Sequence, residues 1–223
     1  MANKLLLSAV MKFLLGVILV GLIIFLPAGS LDYWQGWVLM GILFVPMLIA
    51  GIIMIIKNPT LLASRLKAKE KQKEQDLVQK LSGLMFLAGF ILAGLGYRFN
   101  WYVLPTWVTV ISACLFILSY VMYAEVLREN TYLSRTIEVQ EGQRVIDNGL
   151  YSIVRHPMYS ATLVLFLSMP LVLGSIYAFI VFLAYPFIIS FRIIHEEKFL
   201  EKELVGYKEY KQKVKYRLIP FIW

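Results

Sequence analysis

In a chain of 223 residues, 60% hydrophobic side chains against 16% charged ones, with a mean hydropathy of +0.72, exclude an ordinary water-soluble domain, where about half the residues are apolar and a quarter charged. The net charge of +8 does not call for nucleic acid: the basic residues stand beside apolar segments, where they meet anionic membrane lipids, and no stacking platform or nucleic-acid motif accompanies them. The single cysteine, Cys114, excludes an internal disulfide and reads as a small, buried apolar side chain.

Apolar runs of about 20 residues are long enough to cross a hydrocarbon core of roughly 30 Å as helices. Six follow one another, at residues 5–26, 34–56, 81–97, 101–123, 159–173 and 175–194, so the expectation is an all-α polytopic membrane helical bundle of five to six transmembrane helices. The first run carries Lys12 near its start, but no small-residue cleavage site follows, which keeps it a mature helix. The linker "KNPTLLASRLKAKEKQKEQD" (57–76) opens on an Asn-Pro turn and continues as a basic helical stretch, a lipid-facing connector. The fifth run is short, and "MPLVLGS" (169–175) sets proline and glycine between it and the sixth, as in a tight helical hairpin or one long bent element. Trp34, Trp37, Trp101 and Trp107 suit an interfacial aromatic belt.

Charge orients these runs. Lys57, Arg65, Lys67, Lys69, Lys71 and Lys73 in the first linker, Arg128, Arg135, Arg144 and Arg155 in the second, and a basic tail after Arg192 face little beyond Arg98 on the other side. With six crossings, the positive-inside rule puts all three basic stretches and both termini in the cytoplasm, at the inner membrane if the chain is prokaryotic. The polar stretches are too short to hold cores of their own. The chain divides into residues 1–80 (two spans and the basic linker), 81–124 (two further spans) and 125–223 (connector, hairpin and C-terminal helix).

The connector "TIEVQEGQRVIDNGLYSIVRHPMY" (136–159) has turn signals at Glu141-Gly142 and Asn148-Gly149 and reads as irregular. Proline disfavours the α region in the residue before it, so His156 is expected to be extended, with Pro157 opening the next helix. That helix start would offer free amides and a positive dipole end to a negative group. A second polar cluster, "SFRIIHEEKFLEKEL" (190–204), places Arg192 and Glu196 on one helical face and His195 and Glu197 on others. The hairpin returns both clusters to the same membrane face, beside a lipid-filled groove.

Arg155-His156-Pro157-x-Tyr159, followed after a hydrophobic hairpin by Glu196-Glu197, resembles the signature of the integral-membrane methyltransferases that include isoprenylcysteine carboxyl methyltransferase and the phospholipid methyltransferases. The similarity is greater to the isoprenylcysteine branch. It runs from about Asn130 to the C-terminus and includes Gly149 to Tyr151, Arg192 four residues before Glu196, and "GYKEYKQKVKYRLIPFI" (206–222); "NPTLLASR" (58–65) is similar to bacterial and archaeal relatives.

The resemblance implies a cytoplasmic pocket for S-adenosylmethionine, formed by the C-terminal half around Gln140, Gln143, Arg144, Val145, Ile146, Tyr151, Arg155, His156, Pro157, Met158, Tyr159, Glu196 and Glu197. It further implies Arg192 at the substrate carboxylate, with Arg192 and Glu196 as the catalytic pair. The chain departs from the family in having Ala161 where glycine is common, one methyl more at any close approach there, and in a shorter connector between Gln140 and Gln143.

These roles agree with the chemistry. Methyl transfer from a sulfonium is an in-line displacement that needs positioning and the exclusion of water. A carboxylate acceptor is already deprotonated near neutral pH, and the planar fork of Arg192 suits its orientation. Glu196 can accept from ribose hydroxyls or an ammonium group, His156 lends backbone groups and ring stacking, and Tyr151 and Tyr159 cover the adenine or the sulfonium. His195 reads as structural. His156 and His195 without a cysteine pattern do not suggest a metal site.

Three functions follow. One is O-methylation of a carboxylate on a lipophilic or prenylated acceptor entering from the bilayer. Another is N- or S-methylation of an aminophospholipid or other small molecule, where an amine would need a base. The third is a non-catalytic membrane component retaining the fold. Arg192 favours the first.

Overall fold

The structure is a computed structural model describing residues 2–66, 73–101, 103–133 and 139–223. It is all-α: α1 (Ala2–Ala28), α2 (Trp34–Lys57), α3 (Pro59–Leu66), α4 (Lys73–Arg98), α5 (Thr106–Glu129), α6 (Pro157–Val172), α7 (Ile176–Phe182), α8 (Tyr185–Glu203) and α9 (Tyr207–Lys213), with a 3₁₀ turn at Gly149–Ser152. Five segments of the described residues are long and apolar enough to cross a membrane, Leu5–Ala28, Trp34–Lys57, Asp76–Arg98, Thr106–Glu129 and Ile176–Glu203; α6 is a shorter apolar helix of 16 residues. The first linker is helical over α3 and again from Lys73; residues 67–72 of the basic stretch expected there lie outside the described residues, as do residues 136–138 of the connector.

Several helices outrun their apolar runs. α4 starts at Lys73, its polar first turns carrying a Lys80–Asp76 pair at 2.6 Å in i,i+4 register. α5 begins only at Thr106, because Pro105 sits extended at its N-cap (ψ 146°), and it continues to Glu129. The sixth run is not one helix. Pro186 has no amide to offer Phe182 and its ring crowds that carbonyl, so α7 ends at Phe182 and α8 starts at Tyr185. Cys114 also departs from expectation: it stands exposed on α5, on a face where apolar side chains meet lipid rather than the core.

At the end of the bundle away from the polar connector, α6 and α7 form the expected hairpin. Gly174, at φ 69°, closes it in a Schellman arrangement: the Gly174 amide donates to Leu171 O and the Ser175 amide to Pro170 O, both at 3.0 Å. Ser175 then caps α7, its Oγ accepting from the Ala178 amide at 3.2 Å. Tyr33 Oη donates to Leu173 O at 2.5 Å, and the Leu104 amide to Gly174 O at 2.9 Å, tying the α1–α2 and α4–α5 turns to the hairpin. The apolar core, with Tyr33, Phe116, Leu173, Phe182 and Ile193 almost wholly buried, lies between this end and the polar end, where α5 stops, α6 starts and α8 emerges.

Candidate active site

The polar end is assembled from the last residues of α5, the connector, the first turn of α6, the second half of α8, α9 and the tail. Gly149 sits at φ 54°, and a Cβ there would lie 1.7 Å from Glu129 Oε1. The positive φ favours glycine, and any Cβ there would displace that carboxylate, which accepts the Leu150 amide at 2.9 and 3.1 Å. The 3₁₀ turn fixed in this way presents Tyr151. Asn130 Nδ2 donates to Tyr151 Oη at 2.9 Å, and Tyr210 Oη donates to the Tyr151 carbonyl at 2.7 Å.

Pro157 stands at the first helical position of α6, as proline geometry favours, but its N-cap His156, at φ −126° and ψ 61°, falls short of the extended conformation expected of it. The amides of Arg155 and His156 do not wait for a ligand: they donate to Tyr216 O and Arg217 O, both at 2.9 Å, and Ser160 Oγ donates to Leu218 O at 2.5 Å. The tail thus lies along the motif. Arg155 is used the same way, Nη1 donating to Val214 O at 2.6 Å and Lys215 O at 2.8 Å and Nε to Glu197 Oε1 at 2.7 Å.

Glu197 is the hub of this support. It is 2% exposed, its Oε2 accepts from Arg217 Nε at 2.9 Å, and His156 Nε2 lies 3.3 Å from its Oε1. A buried carboxylate is tolerated only when charged partners and hydrogen bonds surround it, and these side chains supply both. Its neighbour Glu196, one residue round the helix, faces the other way. Tyr159 Oη donates to Glu196 Oε2 at 2.5 Å and accepts from Arg192 Nε at 2.8 Å. One phenol therefore fixes both members of the expected pair. The His156 ring stacks on Tyr159, centroids 5.6 Å apart.

These groups open on a cleft of about 820 Å³, counting the open space at its mouth. Gln143, Arg144, Val145, Ile146, Tyr151, Arg155, His156, Met158, Tyr159, Arg192 and Glu196 all line it. Gln140, Pro157 and Glu197 do not. Gln140 supports from behind, its amide donating to Gln143 Oε1 and its Nε2 to Tyr132 O, both at 2.8 Å; Pro157 is buried in the first turn of α6. Ala161 is 1% exposed inside α6 and away from the lining, so its extra methyl does not narrow the cleft.

Sequence reasoning assigned no role to Asn130, Tyr132, Leu133, Leu200, Leu204, Tyr207 and Tyr210, which complete the wall. The i,i+3 spacing of Tyr207 and Tyr210 was the available signal, because it puts both rings on one face of α9. Burial raises both phenols above the ordinary tyrosine range, helped for Tyr207 by Glu197 and Glu196 and for Tyr210 by Tyr151. Both are protonated at any neutral pH. At the rim, Lys213 Nζ lies 2.7 Å from Asp147 Oδ2 and holds that carboxyl below its usual range.

A cleft with aromatic residues in its lining thus stands at one end of a bundle that holds five membrane-length segments. The comparison with known families narrows this: residues 107–205, from α5 to the end of α8, match the phospholipid methyltransferase family. Helices and match together support an integral-membrane methyltransferase. No curated protein matches the chain.

Proposed function

We propose that the protein is an S-adenosylmethionine-dependent methyltransferase acting on the carboxylate of a lipophilic, isoprenylcysteine-like acceptor that enters from the bilayer. The observation carrying this reading is that Arg192 and Glu196 meet in one cleft, held together by the Tyr159 hydroxyl. The lining fits the cofactor. Tyr151 in the lining is an aromatic group suited to a sulfonium or an adenine, and Glu196 is a carboxylate acceptor for hydroxyl or ammonium donors.

When bound, S-adenosylmethionine supplies a methyl group on a positively charged sulfur. The chain supplies the rest. Tyr159 fixes Glu196 on the cofactor side and Arg192 toward the acceptor; a guanidinium orients a carboxylate through paired hydrogen bonds. Met158, Leu133, Leu200 and Leu204 give the cleft apolar walls that help to exclude water. The basic residues beside the spans support a cytoplasmic site.

The family match favours a second reading, methylation of an aminophospholipid nitrogen. An amine must lose a proton, and Glu196 is the carboxylate in the lining that could take it. The test is transfer of labelled methyl from S-adenosylmethionine by the purified protein in nanodiscs to prenylcysteine analogues, aminophospholipids and a native lipid extract. Label in the prenylcysteine ester, lost in Arg192→Ala while cofactor binding persists, is the expected outcome. Label in the aminophospholipid alone would transfer the assignment to the second reading, and transfer undiminished in Arg192→Ala would remove the carboxylate clamp.

A further inference from the structure

Tyr207 opens α9, directly after Gly206. Its side chain is 3% exposed and lines the cleft, yet among the described residues its buried hydroxyl has no hydrogen-bond partner. The contrast with Tyr210, one turn along the same helix, is sharp, for that hydroxyl is engaged with the Tyr151 carbonyl at 2.7 Å. A buried phenol left unpaired is costly, and the cost is relieved when something accepts a hydrogen bond from it.

The position of Tyr207 says what that partner is. α9 follows the last membrane-length segment, which ends at Glu203, and carries Lys208, Glu209, Lys211 and Lys213, so the wall it forms stands on the watery side of the cleft. A lipophilic acceptor approaches from the membrane, along α6 and α8, which contribute Met158 and Arg192 to the lining. The ligand within reach of α9 is the polar, water-borne one.

Building on the methyltransferase reading above, we infer that Tyr207 is a cofactor-binding residue whose hydroxyl donates to a polar atom of bound S-adenosylmethionine. The phenol is thus unsatisfied in the free protein and satisfied in the complex. Its removal then has opposite effects on stability and on affinity, a signature that a purely structural tyrosine does not produce.

The experiment is calorimetric titration of the purified full chain in nanodiscs with S-adenosylhomocysteine, comparing wild type, Tyr207→Phe and Tyr210→Phe, together with melting temperatures of the ligand-free proteins. Tyr207→Phe is expected to bind about tenfold more weakly while melting at the same or a higher temperature. Tyr210→Phe, which breaks an existing hydrogen bond, melts lower. Unchanged affinity in Tyr207→Phe overturns the inference and leaves the methyltransferase reading standing. A lowered melting point in ligand-free Tyr207→Phe also overturns it, since the hydroxyl would then have a partner without cofactor. Absence of binding by wild type removes both.

Discussion

Glu196 and Glu197 are adjacent in sequence and opposite in role. Glu196 faces the cleft and takes the Tyr159 hydroxyl, whereas Glu197 is sealed behind it by Arg155, Arg217 and His156. Helical periodicity alone places Glu197 off the Arg192–Glu196 face. It does not reveal that Arg155, 42 residues earlier, and Arg217, 20 residues later, converge on it, because those contacts depend on how the tail folds back. Removing one partner of a buried charge cluster costs about 3–5 kcal/mol by leaving the others uncompensated. Glu197→Ala is therefore expected to lower the denaturation midpoint sharply, in the absence of any ligand. A midpoint within experimental error of wild type would show that Glu197 is not the anchor of the tail.

At the scale of elements, spans were legible where hydrophobicity is continuous and misjudged where proline or polar helix propensity intervenes. α2 begins and nearly ends where its apolar run does, while Pro186 splits the sixth run and the polar turns of α4, α5 and α8 extend helices beyond theirs. The α8 extension is the one with consequences, since Glu196 and Glu197 lie on it. The junction of α5 with the 3₁₀ turn was not legible at all: Asn148-Gly149 read as a generic turn, but Gly149 holds a positive φ and leaves the space that the Glu129 carboxylate fills. Gly149→Ala displaces that carboxylate and strands the Leu150 amide, a loss of about 1–3 kcal/mol. The double variant Gly149→Ala/Glu129→Ala should be little worse than Gly149→Ala alone, as coupled neighbours behave in a mutant cycle. Full additivity in chemical denaturation would separate the two residues and refute this account of the turn.

Across the whole molecule, the division of labour runs along the bundle axis. One end is tied by the Gly174 turn, Tyr33 and the Leu104 amide; the other gathers the Arg155-to-Tyr159 motif and the α8 cluster, as the hairpin reading required. The wall formed by α9 was less legible, because a seven-residue helix beyond the last span takes its place from tertiary packing of Tyr207, Tyr210, Leu204 and Val214 rather than from hydrophobic periodicity. The central claim is that this cleft binds the methyl donor through Glu196. Equilibrium binding of labelled S-adenosylmethionine to the purified chain in nanodiscs, wild type against Glu196→Ala, tests it most directly. The account predicts saturable binding of one cofactor per chain, weakened about tenfold or more in the variant, as for a lost hydrogen bond to a charged group; no saturable binding, or equal affinity in the two proteins, would contradict it.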